Sequence, residues 1–327
     1  MVSVSTTLDR KTSTSRGERV TREPFPVSGW IAYAGLRSLA VIVPCFSERV
    51  VEAFAAIVGA IAYLASTNAR RSAARNVGAV IGHDDADLLA LRVRETFRTQ
   101  ASNYCDLVSI PQRSPSELAS RIDMVGWSNL EDARATNRGT LLVCAHLGNF
   151  DAAGQIAVHL KLPVMVLVEQ IRPEALLNYV TRLRANFGLR FVPIDETSMR
   201  KAMHELRQGG VVAVAIDRDV QDSGELFPFF GKSAHLSSAV ATLARRTRSL
   251  IVPFAAFRLG TGRYRLVIRP FIDPGAPKSS RSTSGNSESS PRRQIMQTIT
   301  KEVEHLIRQQ PGQWVMFSSL FPKAEGP

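Results

Sequence analysis

Apolar positions fall along the chain in two regimes. From about residue 27 to residue 110 they recur at the spacing of helices; from about residue 122 they gather into short runs separated by helical stretches. The most apolar stretch, "VSGWIAYAGLRSLAVIVPCFSERVVEAFAAIVGAIAYLA", is interrupted by Arg37, Pro44, Glu48, Arg49 and Glu52. It never reaches the roughly 20 apolar residues that a membrane-crossing helix needs. Two amphipathic helices, about Gly29–Val43 and Ser47–Ala65, are expected instead. A short basic helix, "ARRSAARNVGAVIG", ends near Gly82, and His83-Asp84-Asp85 turns the chain into a long helix. That helix carries Leu88, Leu91, Phe97, Tyr104 and Leu107 at roughly helical spacing, and Pro111 breaks it.

The second regime alternates β-branched runs with helical patterns. The runs "IDMVG", "GTLLVCAH", "PVMVLVE", "RFVPID", "VVAVAID", "SLIVPFAAF" and "RYRLVIRPF" read as strands, with helices expected at about 149–160, 173–187, 196–208 and 236–247. Strands that are apolar throughout are covered on both faces, so the pattern is α/β: a mostly parallel sheet flanked by helices, following an N-terminal helical subregion. The last run, after "GTGRYR", is expected as an antiparallel edge strand. A final helix, "QIMQTITKEVEHLIRQQ", sets Ile295, Met296, Ile299, Val303, Leu306 and Ile307 on one stripe. Three parts follow: a basic leader (1–26) expected to be disordered, a helical membrane-associating region (27–115), and an α/β region (116–327). The Ser/Pro/Gly-rich stretch 274–292 is expected to be a flexible insertion.

Charge narrows the partners. The 327 residues carry 41 Lys and Arg against 29 Asp and Glu, a net charge of +12 and an isoelectric point near 10.2. This favours an anionic surface or phosphate-bearing substrates. The apolar helices beside Arg70, Arg71 and Arg75 suit the surface of an anionic bilayer, although an ordinary buried hairpin has the same pattern. Three cysteines without C-x-x-C spacing argue against a disulfide framework or zinc site. The histidines lack paired metal-ligand spacing, so no metal and no bound cofactor are expected. No nucleic-acid module is recognisable, and aromatics do not interleave with the basic clusters.

Candidate chemistry begins at "LLVCAHLGNFD". His146 follows a strand, and Gly148-Asn149 resembles the turn into a helix with Asn149 as N-cap. Asp151, in the first helical turn, can then take a proton from one imidazole nitrogen and leave the other as a base. A lone histidine after a strand is more often a satisfied structural residue. A second cluster, Asp217-Arg218-Asp219, again stands at a strand end and is followed by Phe229-Phe230-Gly231-Lys232. It reads as an ion-pair network or a polar substrate site.

Together the two blocks resemble the lysophospholipid-acyltransferase-like superfamily, in the branch of bacterial lipid A late acyltransferases and phosphatidylinositol mannoside acyltransferases. The H-x4-D motif falls on His146 and Asp151, with Gly148 and Asn149 in its extended form. The D-R-D…G…F-F-G block falls on Asp217, Arg218, Asp219, Gly224, Phe229, Phe230 and Gly231. "EQIRPEALLNYVTRLRANFGLRFVPI" resembles the intermediate segment, with Glu169, Arg172, Arg182, Arg184 and Gly188. "PGQWVMFSSLFP" resembles the C-terminal end, including Trp314 and Phe317, and the likeness spans roughly residues 27–325.

The resemblance implies a glycerol-3-phosphate-acyltransferase-like fold. It also implies transfer of a fatty acyl group from acyl-CoA or acyl carrier protein to a hydroxyl of a membrane lipid. In that reading His146 is the general base and Asp151 fixes its tautomer. Backbone N–H groups at Gly148 and Asn149 would stabilise an oxyanion. Glu169, Arg172, Arg182, Arg184, Asp217, Arg218 and Asp219 would bind donor or acceptor phosphates. Phe150, Phe229, Phe230 and Gly231 would border the acyl groove. The acceptor expected first is a phosphatidylinositol-mannoside-type glycolipid, then a lipid A or lysophospholipid type. The expected place is the cytoplasmic face of the inner membrane, held peripherally. The competing class is a non-enzymatic basic membrane-binding protein.

Overall fold

A computed structural model describes residues 27–185, 189–219, 224–275 and 290–321. The basic leader, Gly188 and residues 276–289 of the Ser-rich stretch lie outside the described residues. The described residues open with four α-helices: α1 (Val27–Ile42), α2 (Glu48–Ala65), α3 (Thr67–Ile81) and α4 (Ala86–Ser109). Asp85 starts α4 by accepting from the Leu88 N–H at 2.8 Å, as an N-cap carboxylate does. Packing keeps Phe97 and Leu107 of the expected α4 stripe inside and turns the rest of the buried face away from it. Val93, Phe97, Ala101, Cys105 and Val108 are buried, while Leu91 and Tyr104 are half exposed. A single spacing rule cannot choose here, because α4 packs against α1, α2 and α3 on different sides.

The α/β region contains β1 (Ile122–Val125), β2 (Thr140–Cys144), β3 (Val164–Val168), β4 (Arg190–Pro193), β5 (Val211–Ala215), β6 (Glu225–Phe229), β7 (Lys232–Leu236), β8 (Leu250–Gly260) and β9 (Arg263–Ile268). Its helices are α5 (Pro115–Ala119), α6 (Trp127–Ala135), α7 (Phe150–His159), α8 (Glu174–Ala185), α9 (Glu196–Arg207), α10 (Ala239–Thr247) and α11 (Pro291–Gln309). Seven strands form one sheet in the order β1-β9-β8-β2-β5-β3-β4. All neighbours are parallel except β8 and β9, which form the expected antiparallel hairpin. β9 is not an edge, however, because β1 pairs alongside it and takes the outer position. The segment after Asp219, absent from the expected strands, contains a separate hairpin of β6 and β7.

Helices cover both sheet faces, as the continuous apolar strands require. On one face α9, α10 and α11 bury Leu206, Leu243 and the whole expected α11 stripe, together with Trp314. On the other face α5, α6 and α7 bury Leu118, Leu130 and Ala152. The N-terminal helices form a further cluster in which Leu36, Ala55, Cys105 and Val108 meet Val180 of α8, so they pack directly on the wall of the α/β region.

The outer side of the first two helices stays apolar and exposed. Val50, Phe54, Ile57, Val58, Ile61 and Leu64 form a stripe on α2 that continues to Phe46, Ile42 and Val41. No single described helix is long and apolar enough to cross a membrane; α2 and α3 pass that test only jointly and bend by 100° at their break. The inner side of α2 lies against α4 at Gly59, where an added Cβ would sit 2.8 Å from the Arg98 Cα. Gly59→Leu is therefore expected to force the two helices apart, at a cost of about 1–3 kcal/mol. Thermal unfolding against wild type measures it.

Candidate active site

Strand register assembles the centre of the site. β2 and β5 pair in parallel with Cys144 opposite Ala215. Two residues beyond each of these stand His146 and Asp217, so the sheet delivers them side by side. The Ile216 N–H donates to the Cys144 carbonyl at 2.9 Å and carries the ladder past the strand ends. His146 Nδ1 lies 2.7 Å from Asp217 Oδ1, and the His146 backbone N–H donates to Asp217 Oδ2 at 2.9 Å. The Trp314 indole N–H donates to the same Oδ2, also at 2.9 Å.

Asp217 is 0% exposed. Burial alone would raise its carboxyl, but the facing His146 and the hydrogen bonds from His146 and Trp314 outweigh burial and hold it below the usual carboxylate range. An ionised carboxylate only accepts, so Nδ1 carries the hydrogen and Nε2 is the basic nitrogen. The imidazole retains 25% side-chain exposure on the wall of a cavity.

That cavity, about 400 Å³, opens on the face of the sheet that carries α7. Its walls are apolar: Leu142, Val164, Val166, Phe254 and Leu266 from the strands, Ala153 and Ala157 from α7, Leu177 and Val180 from α8. Its polar groups are few and include His146, Asp151, Arg184, Glu169 and Arg218. A mostly apolar cavity with a few convergent polar groups is the usual form of a small-molecule site.

The expected contact between His146 and Asp151 is replaced by two others. Asp151 accepts from Arg184 Nε at 2.7 Å and Nη2 at 3.1 Å. The Arg184 guanidinium also lies over the rings of Phe150 and Phe191, at 5.3 and 5.6 Å. Asp151 stands in the first turn of α7 and reaches across to α8, whereas Asp217 reaches His146 along the sheet. Asp151 thus ties two cavity walls together, and Asp217 orients the imidazole.

The turn between them also departs from expectation. Gly148 has φ +63°, and a Cβ there would run into the Ala256 carbonyl, so glycine is required. The Gly148 N–H donates to the Gln313 carbonyl at 2.9 Å and the Asn149 N–H to the Ala256 carbonyl at 2.6 Å. Neither remains for an oxyanion. Asn149 does cap α7, its Oδ1 accepting from the Ala152 N–H at 3.1 Å. Its amide nitrogen donates at 2.5 Å to Asp106 of α4, whose Oδ2 also accepts from Tyr264 and Arg258. Asn103 of α4 holds the Gly148 carbonyl at 2.8 Å.

The remaining expected residues scatter. Glu169 and Arg218 form an ion pair of 3.0 Å on the cavity wall, and Arg218 Nε is buried without a hydrogen-bond partner. Arg172 and Arg182 are exposed and do not line the cavity, and Asp217 sits behind His146 rather than among phosphate ligands. Asp219 accepts from the Gly224 N–H at 2.6 Å. Of the groove residues only Phe150 lines the cavity. Phe229 and Phe230 are buried against Trp314, with ring centres 6.0 and 5.9 Å from it, and Gly231 is the exposed turn between β6 and β7. The apolar hairpin turns them into the core layer of α11, where burial outweighs any role at the cavity.

Cys144 is buried below His146, and burial, followed by the Asp217 charge, pushes its thiol far up. It is no nucleophile at neutral pH. Among the described residues no group of three His, Cys, Asp or Glu side chains is placed to hold a metal ion. The sequence reading missed Asp217 as the partner of His146, Trp314 as its donor, and Asp106 as the support of Asn149. One signal was present: "TLLVCAH" and "VVAVAID" place their polar residue at the same offset from an apolar run.

Trp314→Phe keeps an aromatic ring in place but removes one of the donors to Asp217. Loss of a hydrogen bond to a buried charge is expected to cost about 1.5–3 kcal/mol, read as a lower urea midpoint.

Comparison with known proteins gives this geometry a family. The model of the bacterial lipid A biosynthesis acyltransferase family matches residues 23–323. A phosphatidylinositol mannoside acyltransferase of Mycolicibacterium smegmatis is 23% identical over 214 residues, covering 64% of this chain and 70% of the relative. The protein of the same description from Mycobacterium tuberculosis is 23% identical over 247 residues, 74% of each chain. A lipid A biosynthesis acyltransferase of Haemophilus influenzae is 22% identical over 231 residues, 70% of this chain and 68% of its own. With the match spanning both the N-terminal helices and the strand-end site, this chain belongs to the bacterial lipid A biosynthesis acyltransferase family.

Proposed function

We propose that this acyltransferase moves a fatty acyl group from a thioester, acyl-CoA or acyl carrier protein, to a hydroxyl of a membrane glycolipid, with His146 as general base. The observation that carries the mechanism is the His146–Asp217 pair on the wall of the apolar cavity. With Nδ1–H held by a buried carboxylate, Nε2 can take the proton of the acceptor hydroxyl as its oxygen attacks the thioester carbonyl. The imidazolium formed is stabilised by Asp217, as in other oriented histidine bases. Collapse of the tetrahedral adduct breaks the C–S bond, and the imidazolium returns its proton to the departing thiolate. The activated thioester makes a covalent acyl-enzyme unnecessary, in keeping with the inert Cys144. The apolar cavity fits an acyl chain, and the Glu169–Arg218 pair offers polar contacts to the donor or acceptor headgroup.

The acceptor proposed first is a phosphatidylinositol-mannoside-type glycolipid, supported by the two mycobacterial relatives of that description. The Haemophilus relative supports a lipid A-type acceptor as the second reading. The exposed apolar stripe of α1 and α2, with the net positive charge, supports a peripheral position on an anionic inner-membrane surface.

Purified protein with radiolabelled palmitoyl-CoA is expected to label mannosylated phosphatidylinositol in preference to a lipid A precursor. His146→Ala should abolish the transfer, and equal rates for wild type and variant would overturn the base assignment. Asp217→Asn is expected to lower kcat by roughly 10²- to 10⁴-fold with little change in KM. Asp151→Asn, which leaves the His146–Asp217 contact intact, should act mainly on stability. The opposite ranking of the two variants would return the orienting role to Asp151. Cys144→Ala should retain transfer.

A further inference from the structure

A second cavity, about 300 Å³, lies across α4 from the catalytic one. The two share α4 as a partition: Asn103, Tyr104 and Leu107 face the catalytic side, whereas Ser102, Asp106 and Ser109 face the second side. Its outer rim is the elbow between α1 and α2, with Val43, Pro44 and Phe46. Phe46 is 54% exposed and continues the apolar stripe described above. The cavity therefore opens where the protein presents its apolar face.

Its walls are unusually polar for a site beside such a surface. Glu48 accepts from Arg113 at 2.7 Å, Asp106 pairs with Arg258, and Glu52 accepts from Thr261 at 2.9 Å. Each guanidinium on the wall already faces a carboxylate. Glu52 pairs in turn with Arg98 at 3.5 Å, so neither a bare phosphate nor a bare ammonium meets an uncompensated charge there. Donors and acceptors stand close together instead, in the planar, two-atom form that carboxylates and guanidiniums offer to adjacent hydroxyls. Arg258 Nε, buried on the same wall, has no hydrogen-bond partner, which a buried donor seldom tolerates without a ligand or water.

We propose that this second cavity binds the polyhydroxyl headgroup, a sugar or inositol ring, of a membrane lipid whose chains lie along the apolar face of α1 and α2. The headgroup held there lies across α4 from His146 and is therefore not the reacting one; the proposal rests on the glycolipid reading only for the class of lipid. Its inner wall bears on the turn after His146, because Asp106, which Arg258 holds, also accepts from the Asn149 amide.

Vesicles of phosphatidylcholine containing either phosphatidylinositol or phosphatidylserine separate headgroup recognition from charge, since both guests carry one negative charge. Wild type is expected to bind the inositol vesicles roughly tenfold more tightly, the worth of one or two net hydrogen bonds. Ser109→Trp, which fills the second cavity, and Glu52→Gln, which alters its wall without changing shape, should both reduce that preference. Ala153→Trp, which fills the catalytic cavity instead, should lose acyl transfer and keep the preference. Thermal unfolding of each variant identifies any that fails to fold. No preference in wild type, or a preference unchanged in folded Ser109→Trp and Glu52→Gln, would overturn the second site. Free myo-inositol at high concentration distinguishes the source: occupying the cavity, it is expected to reduce binding of inositol vesicles to the phosphatidylserine level, and full release from vesicles would overturn the lipid assignment. Loss of the preference in Ala153→Trp would move the headgroup to the catalytic cavity and also overturn it. A wild type that binds inositol vesicles selectively yet transfers no acyl group would count against the proposed reaction, not against this cavity.

Discussion

A carboxylate without solvent must be surrounded by donors, and in this protein that constraint falls on Asp217. The groups that satisfy it come from distant parts of the chain: the His146 backbone and ring from the end of β2, and the Trp314 indole from the segment after α11. The arrangement closes the C-terminal segment onto the sheet. The Val315 N–H donates to the His146 carbonyl at 2.8 Å, and the Gln313 carbonyl accepts from Gly148 at 2.9 Å. The same contacts that satisfy the buried charge fix the ring that the charge orients. Stability and the proposed chemistry therefore share one set of hydrogen bonds.

A second carboxylate plays the corresponding part on the N-terminal side. Asp106 belongs to α4, yet it holds Asn149, which caps α7. The helices that carry the exposed apolar stripe are in this way joined to the turn after His146 through hydrogen bonds as well as through the packing of Leu36, Ala55 and Cys105 against Val180. Asp151, the acid of the sequence motif, ties α7 to α8 through Arg184 and the rings of Phe150 and Phe191. Three acids thus hold three borders of the site: Asp217 the strand ends, Asp106 the α4 side and Asp151 the α8 side. Each does so through partners far away in sequence.

How much of this could be read from the residues alone follows from the range of the forces involved. Continuous apolar runs define parallel strands because both faces must be covered, so β2, β3, β5 and β8 were legible, as was the α11 stripe. Asn149 as an N-cap was legible because capping is local. The β6–β7 hairpin was not: "ELFPF" and "KSAHL" are mixed polar and apolar runs joined by Phe230-Gly231, and Phe230 adopts φ +51°, an uncommon conformation for a bulky residue. Of the expected α4 stripe Phe97 and Leu107 are buried and Leu91 and Tyr104 are not, because three helices pack against α4.

For this protein the sequence determined most of the elements, the strand-end histidine and the turn glycine that follows it, all of which depend on neighbours a few residues away. It also carried the two motif blocks that place the chain in its family. Only the tertiary structure decided which acid serves which partner. The histidine and Asp151 are close along the chain, and that proximity suggested a pair. The register of β2 with β5 instead sets His146 against Asp217, 71 positions later, and the approach of α8 gives Asp151 to Arg184. Hydrogen bonds are satisfied in space, and which groups meet depends on strand order, which no local pattern encodes.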